Sequence, residues 1–152
     1  MERQSDPGGT GSAPLEEAEA GTAQEPVALS SQGVIVTLPP QPRFIRVARL
    51  VAAGLANELG FGVDRLDDVR LAIGEACALA VQVGAHQVTL SYLLGTDGLR
   101  VTIDAELGGA GDQLDADYIA LVEQVLGVAC SEHNIDRDER RMSIQLSFTD
   151  GT

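Results

Sequence analysis

Few side chains in this 152-residue sequence have the type and spacing that catalysis or metal binding requires. The cysteines, Cys77 and Cys130, are far apart and each lies in an apolar stretch, which predicts buried free thiols and argues against a zinc site or a disulfide-stapled module. The histidines, His86 and His133, have no cysteine or carboxylate at metal-ligand spacing, so we expect them at the surface. These side chains therefore predict neither a metal site nor a nucleophile.

A glycine-rich segment, residues 108–112, is the next candidate, because the free backbone amides of a glycine turn before a helix can bind an anion. Carboxylates lie in or close to this turn at Asp112, Asp115 and Asp117. Since they would repel a phosphate group, the segment is interpreted as an ordinary turn.

The charge of the whole chain is strongly negative. The formal net charge is −13, and the ten basic residues are all arginines. Nucleic-acid binding needs clustered cations that release counterions, so this composition argues against nucleic acid as a direct partner. A protein partner selected by charge should instead carry a basic face.

The chain also lacks the signals of membrane insertion. No apolar run approaches the roughly 18 residues of a membrane helix, and Glu2 and Asp6 lie where a signal peptide has basic and apolar regions. We therefore expect a cytoplasmic location without membrane association. Residues 1–29 are poor in large apolar groups and predict a disordered acidic tail, whereas residues 34–148 predict one folded domain.

The elements of this domain follow from its hydrophobic periodicity. Alternating or β-branched runs predict strands, and apolar residues at spacings of three and four predict helices. Asp64 is the predicted cap of the second helix, and the Asp97-Gly98 pair predicts a hairpin between the second and third strands. The last two strands are predicted from Cys130 and from Arg141. The order β-α-α-β-β-α-β-β favours an α+β fold, a two-layer sandwich with one mixed, mostly antiparallel sheet and helices on one face.

The second predicted helix contains a string that resembles a known family motif. The string is Asp68-Val69-Arg70-Leu71-Ala72-Ile73-Gly74-Glu75-Ala76-Cys77. Together with the order of elements, it resembles the anti-sigma-factor serine kinases of the RsbW and SpoIIAB type, members of the GHKL superfamily with the histidine-kinase-like ATPase (Bergerat-type) fold. The family's N-box reads L-A-x-x-E-A-x-x-N-A, and the matching residues here are Leu71, Ala72, Glu75, Ala76 and Ala80.

In this family the N-box glutamate is a general base and the asparagine ligates the Mg²⁺ of bound ATP. The resemblance therefore makes Glu75 the candidate catalytic residue, with a solvated or paired helix carboxylate as the alternative. Leu79 lies where the asparagine is expected. Mg²⁺ takes oxygen ligands, which leucine lacks, so no metal site is predicted. Glu75 and Leu79 are four residues apart and share one helix face.

The family's second nucleotide motif, D-x-G-x-G, follows the third strand. Its aspartate binds adenine, and its glycines let the backbone approach the nucleotide closely. The resemblance implies a vestigial cofactor-binding role for Asp104, Gly108 and Gly109. Neither register of the motif fits, because Glu106 or Ala105 replaces a motif residue. We expect no cofactor, with ATP and Mg²⁺ bound only if another group compensates for the degenerate site.

A third motif concerns protein partners. Family members use an arginine in the pattern F-x-R-V of the first helix to contact both of their partners. The segment Phe44-Ile45-Arg46-Val47 matches this pattern, so the resemblance makes Arg46 the candidate partner-binding residue. The alternative is a solvated arginine without a partner.

Three functions remain open on this basis. In the first, the chain is an anti-sigma factor of a partner-switching pathway, such as a stress response. It sequesters an RNA polymerase sigma factor, forms a homodimer and is released by a STAS-type antagonist, with little or no kinase activity. In the second, it is an active serine/threonine kinase that phosphorylates the antagonist with Glu75 as base. In the third, it is a regulatory binding module of another pathway, since fold does not fix function. The degenerate motifs favour a binding protein over an enzyme.

Overall fold

A computed structural model describes residues 32–108 and 116–150 of the chain. The described residues form five strands, three α-helices and one 3-10 turn. In chain order these elements are β1 (Gln32–Leu38), the 3-10 turn (Pro42–Phe44), α1 (Ile45–Glu58), α2 (Val63–Gln82), β2 (Ala85–Gly95), β3 (Gly98–Leu107), α3 (Ala116–Ala129), β4 (Glu132–Arg137) and β5 (Arg141–Phe148). The predicted tail at residues 1–29 lies outside the described residues.

The strands form one sheet in the order β1-β2-β3-β5-β4, and each described pair of neighbours is antiparallel. The predicted hairpin between β2 and β3 is confirmed, with Gly95 paired to Gly98. Gly98 has a φ of 148°, and a Cβ at this position would collide with the carbonyl oxygen of Phe148. This turn therefore requires glycine.

The two faces of the sheet differ in polarity because side chains alternate along each strand. In β3, Val101, Ile103 and Ala105 are buried, whereas Thr102 and Asp104 between them remain partly exposed. The same alternation in β5 buries Met142, Ile144, Leu146 and Phe148. One face of the sheet is thus apolar, and the opposite face is polar.

The helices pack on the apolar face, with α2 in contact with both α1 and α3. α1 turns a stripe of small side chains inward, which permits a close approach to α2. The stripe consists of Ala48, Ala52, Ala53 and Ala56. Gly60, with a φ of 86°, terminates α1, because an αL residue after a helix is normally glycine.

The fold class is confirmed as an α+β two-layer sandwich, with a sheet that is antiparallel at all described pairings and not mixed. Two local details of the prediction are wrong. The N-cap of α2 is Gly62, and Asp64 lies in the first turn, where its charge still complements the helix dipole. β4 begins at Glu132 because the N–H of Cys130 still donates to the Leu126 carbonyl at the end of α3, at 2.9 Å. None of the described helices is long and apolar enough to cross a membrane.

Candidate protein-binding and nucleotide sites

α2 places Glu75 and Leu79 one helical turn apart, and the two side chains have opposite surroundings. Leu79 is fully buried and belongs to the hydrophobic core, whereas Glu75 is half-buried. A ligand to a phosphate-bound Mg²⁺ must present an oxygen to an open site. At this position the chain instead has an apolar side chain packed among other core residues, so core packing replaces the metal-binding part of the motif.

Glu75 lies close enough to α3 for its charge to act on Tyr118. The pKa of the Tyr118 hydroxyl is raised, first by burial and then by the negative charge of Glu75. Among the residues that the structure describes, Glu75 has no hydrogen bond or ion pair. The carboxylate is therefore available to a substrate or to a protein partner. Tyr118 lies on the apolar stripe of its helix, so no sequence signal distinguishes it from a core residue.

Asp104 does not share a site with Glu75. Its neighbours Ile103 and Ala105 are buried on the apolar face of the sheet, so the strand alternation places Asp104 on the polar face, away from the helices. There its carboxylate accepts a hydrogen bond from Arg141 at 2.9 Å and forms an ion pair with it. The vestigial cofactor-binding role of Asp104 stays a prediction.

Gly108 lies against the side chain of His86. It directly follows β3, and a Cβ at this position would lie 2.7 Å from Nε2 of His86. Glycine thus lets the imidazole of His86, which is exposed as predicted, lie against the backbone. Gly109 lies outside the described residues.

The described residues do not fit a magnesium–ATP site of the family pattern. Leu79 is buried in the core in place of the metal ligand, and the Asp104 carboxylate is paired with Arg141. Between residues 32 and 150, as far as they are described, no group of three or more His, Cys, Asp or Glu side chains is placed to hold a metal ion.

Arg46 lies on the exposed side of α1, as predicted, while Val47 beside it packs against the core. In the described part of the chain it has neither a hydrogen bond nor an ion pair. Arg43, just before α1, has a partner of its own, because its guanidinium lies over the Phe44 ring at 5.0 Å. The geometry permits the predicted contact of Arg46 with a partner, and that role stays a prediction.

The cysteines are buried free thiols, as predicted. Burial raises the pKa of Cys77 to about 12, and the nearby positive charge of Arg49 opposes this shift. Burial likewise raises the pKa of Cys130 to about 12, against the positive charge of Arg65. Both thiols remain protonated near neutral pH, which makes them poor nucleophiles.

Arg65, near the start of α2, has the most extensive side-chain hydrogen bonding that the structure describes, and sequence analysis missed it. Its guanidinium donates to the carbonyls of Ala129 and Thr149, each at 2.9 Å. It also donates to Ser131 at 2.9 Å and forms an ion pair with Asp68 at 3.0 Å. These bonds join α2 to the end of α3 and to the chain beyond β5.

The fold, and the position of the N-box on α2, agree with one family of proteins. Residues 38–117 match the family model described as histidine kinase-like ATPase domain. The match covers more than half of the chain, and the chain belongs to this family. The predicted resemblance to its RsbW type is confirmed by relatives found in Bacillus.

One relative is the serine-protein kinase RsbW of Bacillus subtilis, which is 30% identical over 105 residues, covering 66% of this chain and 61% of the relative. RsbW of Bacillus velezensis is 28% identical over the same length. The chain thus spans less than two thirds of the relatives that it matches. A solved structure, the SiaB-SiaC complex from Pseudomonas aeruginosa, has a similar fold, with a TM-score of 0.60 at 11% identity over 88% of this chain and 99% of that chain.

Proposed function

We propose that this chain is an anti-sigma factor of the RsbW type that acts by binding proteins. It sequesters a sigma factor in the cytoplasm, forms a homodimer and is released when a STAS-type antagonist competes for it. It carries out this exchange with little or no kinase activity.

The observation that supports this proposal most is the burial of Leu79. A kinase of this family needs a metal ligand at this position, four residues after its base. Here the side chain is apolar and fully inside the core. A leucine side chain offers no oxygen to a metal ion, and its full burial separates this position from solvent.

Arg46 supports the binding role. An exposed arginine without a partner can form a bidentate pair with a carboxylate of another protein, and arginines of this kind are enriched among binding hot spots. The position of Arg46 within the F-x-R-V pattern agrees with that role.

An active kinase is the second candidate, favoured by one observation. Glu75 is half-buried and has no hydrogen bond or ion pair within the described residues, so its carboxylate could still accept a proton from a substrate hydroxyl.

Two measurements separate these functions. The full chain is titrated, without nucleotide, with each purified sigma factor and each STAS-domain protein of the source bacterium. We expect one sigma factor to bind with a micromolar or lower Kd and one antagonist to displace it. If no sigma factor binds, the proposal is wrong.

In the second measurement, the antagonist is incubated with the chain, Mg²⁺ and ATP, and its phosphorylation is followed by mass spectrometry. We expect no phosphate transfer. Transfer that is lost in Glu75→Gln, and retained in the control Glu132→Gln at an exposed position of β4, would favour the kinase instead.

A further inference from the structure

α2 and α3 lie side by side and antiparallel on the apolar face of the sheet. Two interactions fix their alignment. Arg65, near the start of α2, donates to the carbonyl of Ala129 at the end of α3, at 2.9 Å. Further along α2, the charge of Glu75 acts on Tyr118 near the start of α3. The part of α2 between these two positions therefore runs alongside α3 between residues 118 and 129.

The solvent-facing side of α3 is apolar. Leu121, Val125 and Val128 are spaced by four and three residues, so they lie on one face of the helix. Leu121 is 57% exposed and Val128 is 84% exposed, whereas Val125 between them is half-buried. Leu71, in the part of α2 that runs alongside, is 48% exposed. Single exposed apolar side chains are ordinary, but a group of them on two adjacent helices is typical of an interaction surface.

Carboxylates accompany these apolar side chains on α2. Asp64, Leu71 and Glu75 are spaced by seven and four residues, so they share one face of the helix. Neither Asp64 nor Glu75 has a hydrogen bond or an ion pair among the residues that the structure describes. The two arginines of α2 are already paired with other carboxylates of the same helix, and α3 contains no basic residue. The uncompensated charge on these two helix faces is therefore negative.

We propose that α2 and α3 form a docking surface for a basic amphipathic helix of another protein. This α2–α3 surface consists of Asp64, Leu71, Glu75, Leu121, Val125 and Val128. The apolar stripe of the partner helix covers the leucines and valines, and a lysine or arginine near each end of the stripe pairs with a carboxylate.

The spacing of the two carboxylates sets the spacing of the partner's cations. Asp64 and Glu75 are roughly 16 Å apart along α2, because an α-helix rises about 1.5 Å per residue. A partner helix that lies along α2 should therefore carry its cations about eleven residues apart, with apolar residues between them on the same face.

Charge favours this partner over a second copy of the chain. Two copies related by a two-fold axis would bring identical carboxylates together, and both arginines of α2 are already paired. A basic partner gains from both carboxylates, which agrees with the expectation from the net charge. This inference deepens the proposed function, on which it rests, by naming the chemistry of the protein that is bound.

The first test uses a probe that does not depend on a sigma factor. The probe is a blocked peptide of sequence Ala-Arg-Ala-Gln-Ala-Leu-Ala-Gln-Leu-Ala-Gln-Ala-Arg-Ala, which places its cations and leucines on one helix face. A matched peptide has Glu in place of Arg. Each peptide is added to the full chain, and the methyl resonances of Leu121 and Val128 are followed by NMR. We expect a saturable shift with the basic peptide only, and a lower affinity at about 0.5 M salt.

Leu50, which is 66% exposed on α1, is the internal control and should not shift. Unmoved Leu121 and Val128, an equal shift at Leu50, or an equal response to the acidic peptide would overturn the proposal. A shift of Leu121 and Val128 on raising the protein concentration without peptide would also overturn it, because a second copy would then be the occupant.

The second test separates the apolar contribution from the charged one. Leu121→Ser and Val128→Ser should each lower the affinity for the basic peptide about tenfold, because each removes an apolar side chain that the peptide buries. Their Tm should hardly change, since both side chains are exposed. Unchanged affinity in both variants would refute the docking surface.

Asp64→Asn should lower the peptide affinity about threefold and weaken its salt dependence. Glu123→Gln is the matched control, because Glu123 is exposed on α3 but lies outside the apolar stripe. It should leave the affinity unchanged. Equal losses in the two variants would show a general charge effect and contradict the assigned role of Asp64.

The two proposals fail separately. If the basic peptide binds as expected while no sigma factor or antagonist binds, the proposed function is wrong and the docking surface remains. If a sigma factor binds with equal affinity to the parent chain, Leu121→Ser and Val128→Ser, the proposed function remains and the docking surface is wrong.

Discussion

Arg65 and Arg46 are the same residue type in two regions of the molecule with opposite surroundings. Arg65 has four hydrogen-bond partners that join α2, α3 and the chain after β5, and only 20% of its side chain is exposed. Arg46, on the outer side of α1, has no such partner among the described residues. Arginine therefore serves the fold in the first region and remains available to another molecule in the second.

The difference shows how to separate stability from function in this chain. A guanidinium that donates several hydrogen bonds within the protein contributes to the free energy of unfolding, because its removal leaves carbonyls and a carboxylate without a donor. An exposed guanidinium contributes little to stability and acts only when a partner supplies a carboxylate. Substitutions in the two regions should therefore change different measured quantities.

The largest expected effect follows from Arg65→Ala. The carbonyls of Ala129 and Thr149 lose their donor and Asp68 loses its ion pair, which should lower the free energy of unfolding by about 2–3 kcal/mol. For a domain of this size, that corresponds to a decrease of roughly 10 °C in Tm by thermal denaturation. Arg100→Ala is the matched control and should change stability by less than about 0.5 kcal/mol. Similar values for the two variants would contradict the structural role of Arg65.

Arg46→Ala should weaken binding and leave stability nearly unchanged, the reverse of Arg65→Ala. Binding of the sigma factor or of the antagonist should weaken by about thirtyfold, the loss of a hot-spot arginine of roughly 2 kcal/mol, whereas Tm should hardly change. Calorimetric titration measures the first quantity and thermal denaturation the second. Arg70→Ala, which removes an exposed arginine paired with Asp67 on α2, is the control and should leave binding unchanged. If Arg46→Ala binds normally, the role implied by the family resemblance is wrong; if it unfolds, Arg46 is structural.

The smallest expected effect concerns the buried thiols, one beside each of the two regions. Burial raises the pKa of Cys77 and of Cys130 from 9.0 to about 12. The pKa of each thiol is higher in the folded state than in the unfolded chain. The contribution of the protonated thiols to the free energy of unfolding is therefore fully present below pH 9 and is lost as the pH rises toward 12. We expect each thiol to account for about 1.4 kcal/mol of lost stability by pH 10.

Urea denaturation between pH 7 and pH 10 measures this loss, and Cys77→Ala is compared with the parent chain. The variant starts from a lower stability because it leaves a small cavity, so the pH slope is the informative quantity. The slope should fall by about half when Cys77 is removed. An identical slope in both proteins would show that Cys77 does not titrate as its burial implies.

Much of the fold could be predicted from the sequence because its signals are local. The apolar period of α1 and the Asp97-Gly98 pair of the hairpin each lie within one element or turn. The start of β4 could not be predicted, because Cys130, the residue after Ala129, fits a helix end and a strand equally well. Its place at the end of α3 is decided by the hydrogen bond from its N–H to the Leu126 carbonyl.

The candidate site could be predicted only in part, for a similar reason. The loss of the metal ligand at Leu79 could be predicted, because the residues of the N-box are contiguous in the sequence. The partner of Asp104 is Arg141 on β5, 37 residues away in the sequence, and the partners of Arg65 are up to 84 residues away. Arg49 of α1 likewise lies against Gly74 of α2, and no local sequence pattern predicts this contact between two helices.

Calorimetric titration of the full chain with Mg-ATP tests most directly the claim that the chain acts as a binding protein without nucleotide. The buried Leu79 and the pairing of Asp104 with Arg141 predict no saturable heat up to millimolar ATP in the presence of Mg²⁺. The same preparation should still bind its sigma factor, which shows that the protein is folded and competent. A micromolar Kd for Mg-ATP would contradict the claim, because the site would then be completed by groups other than those of the family motif.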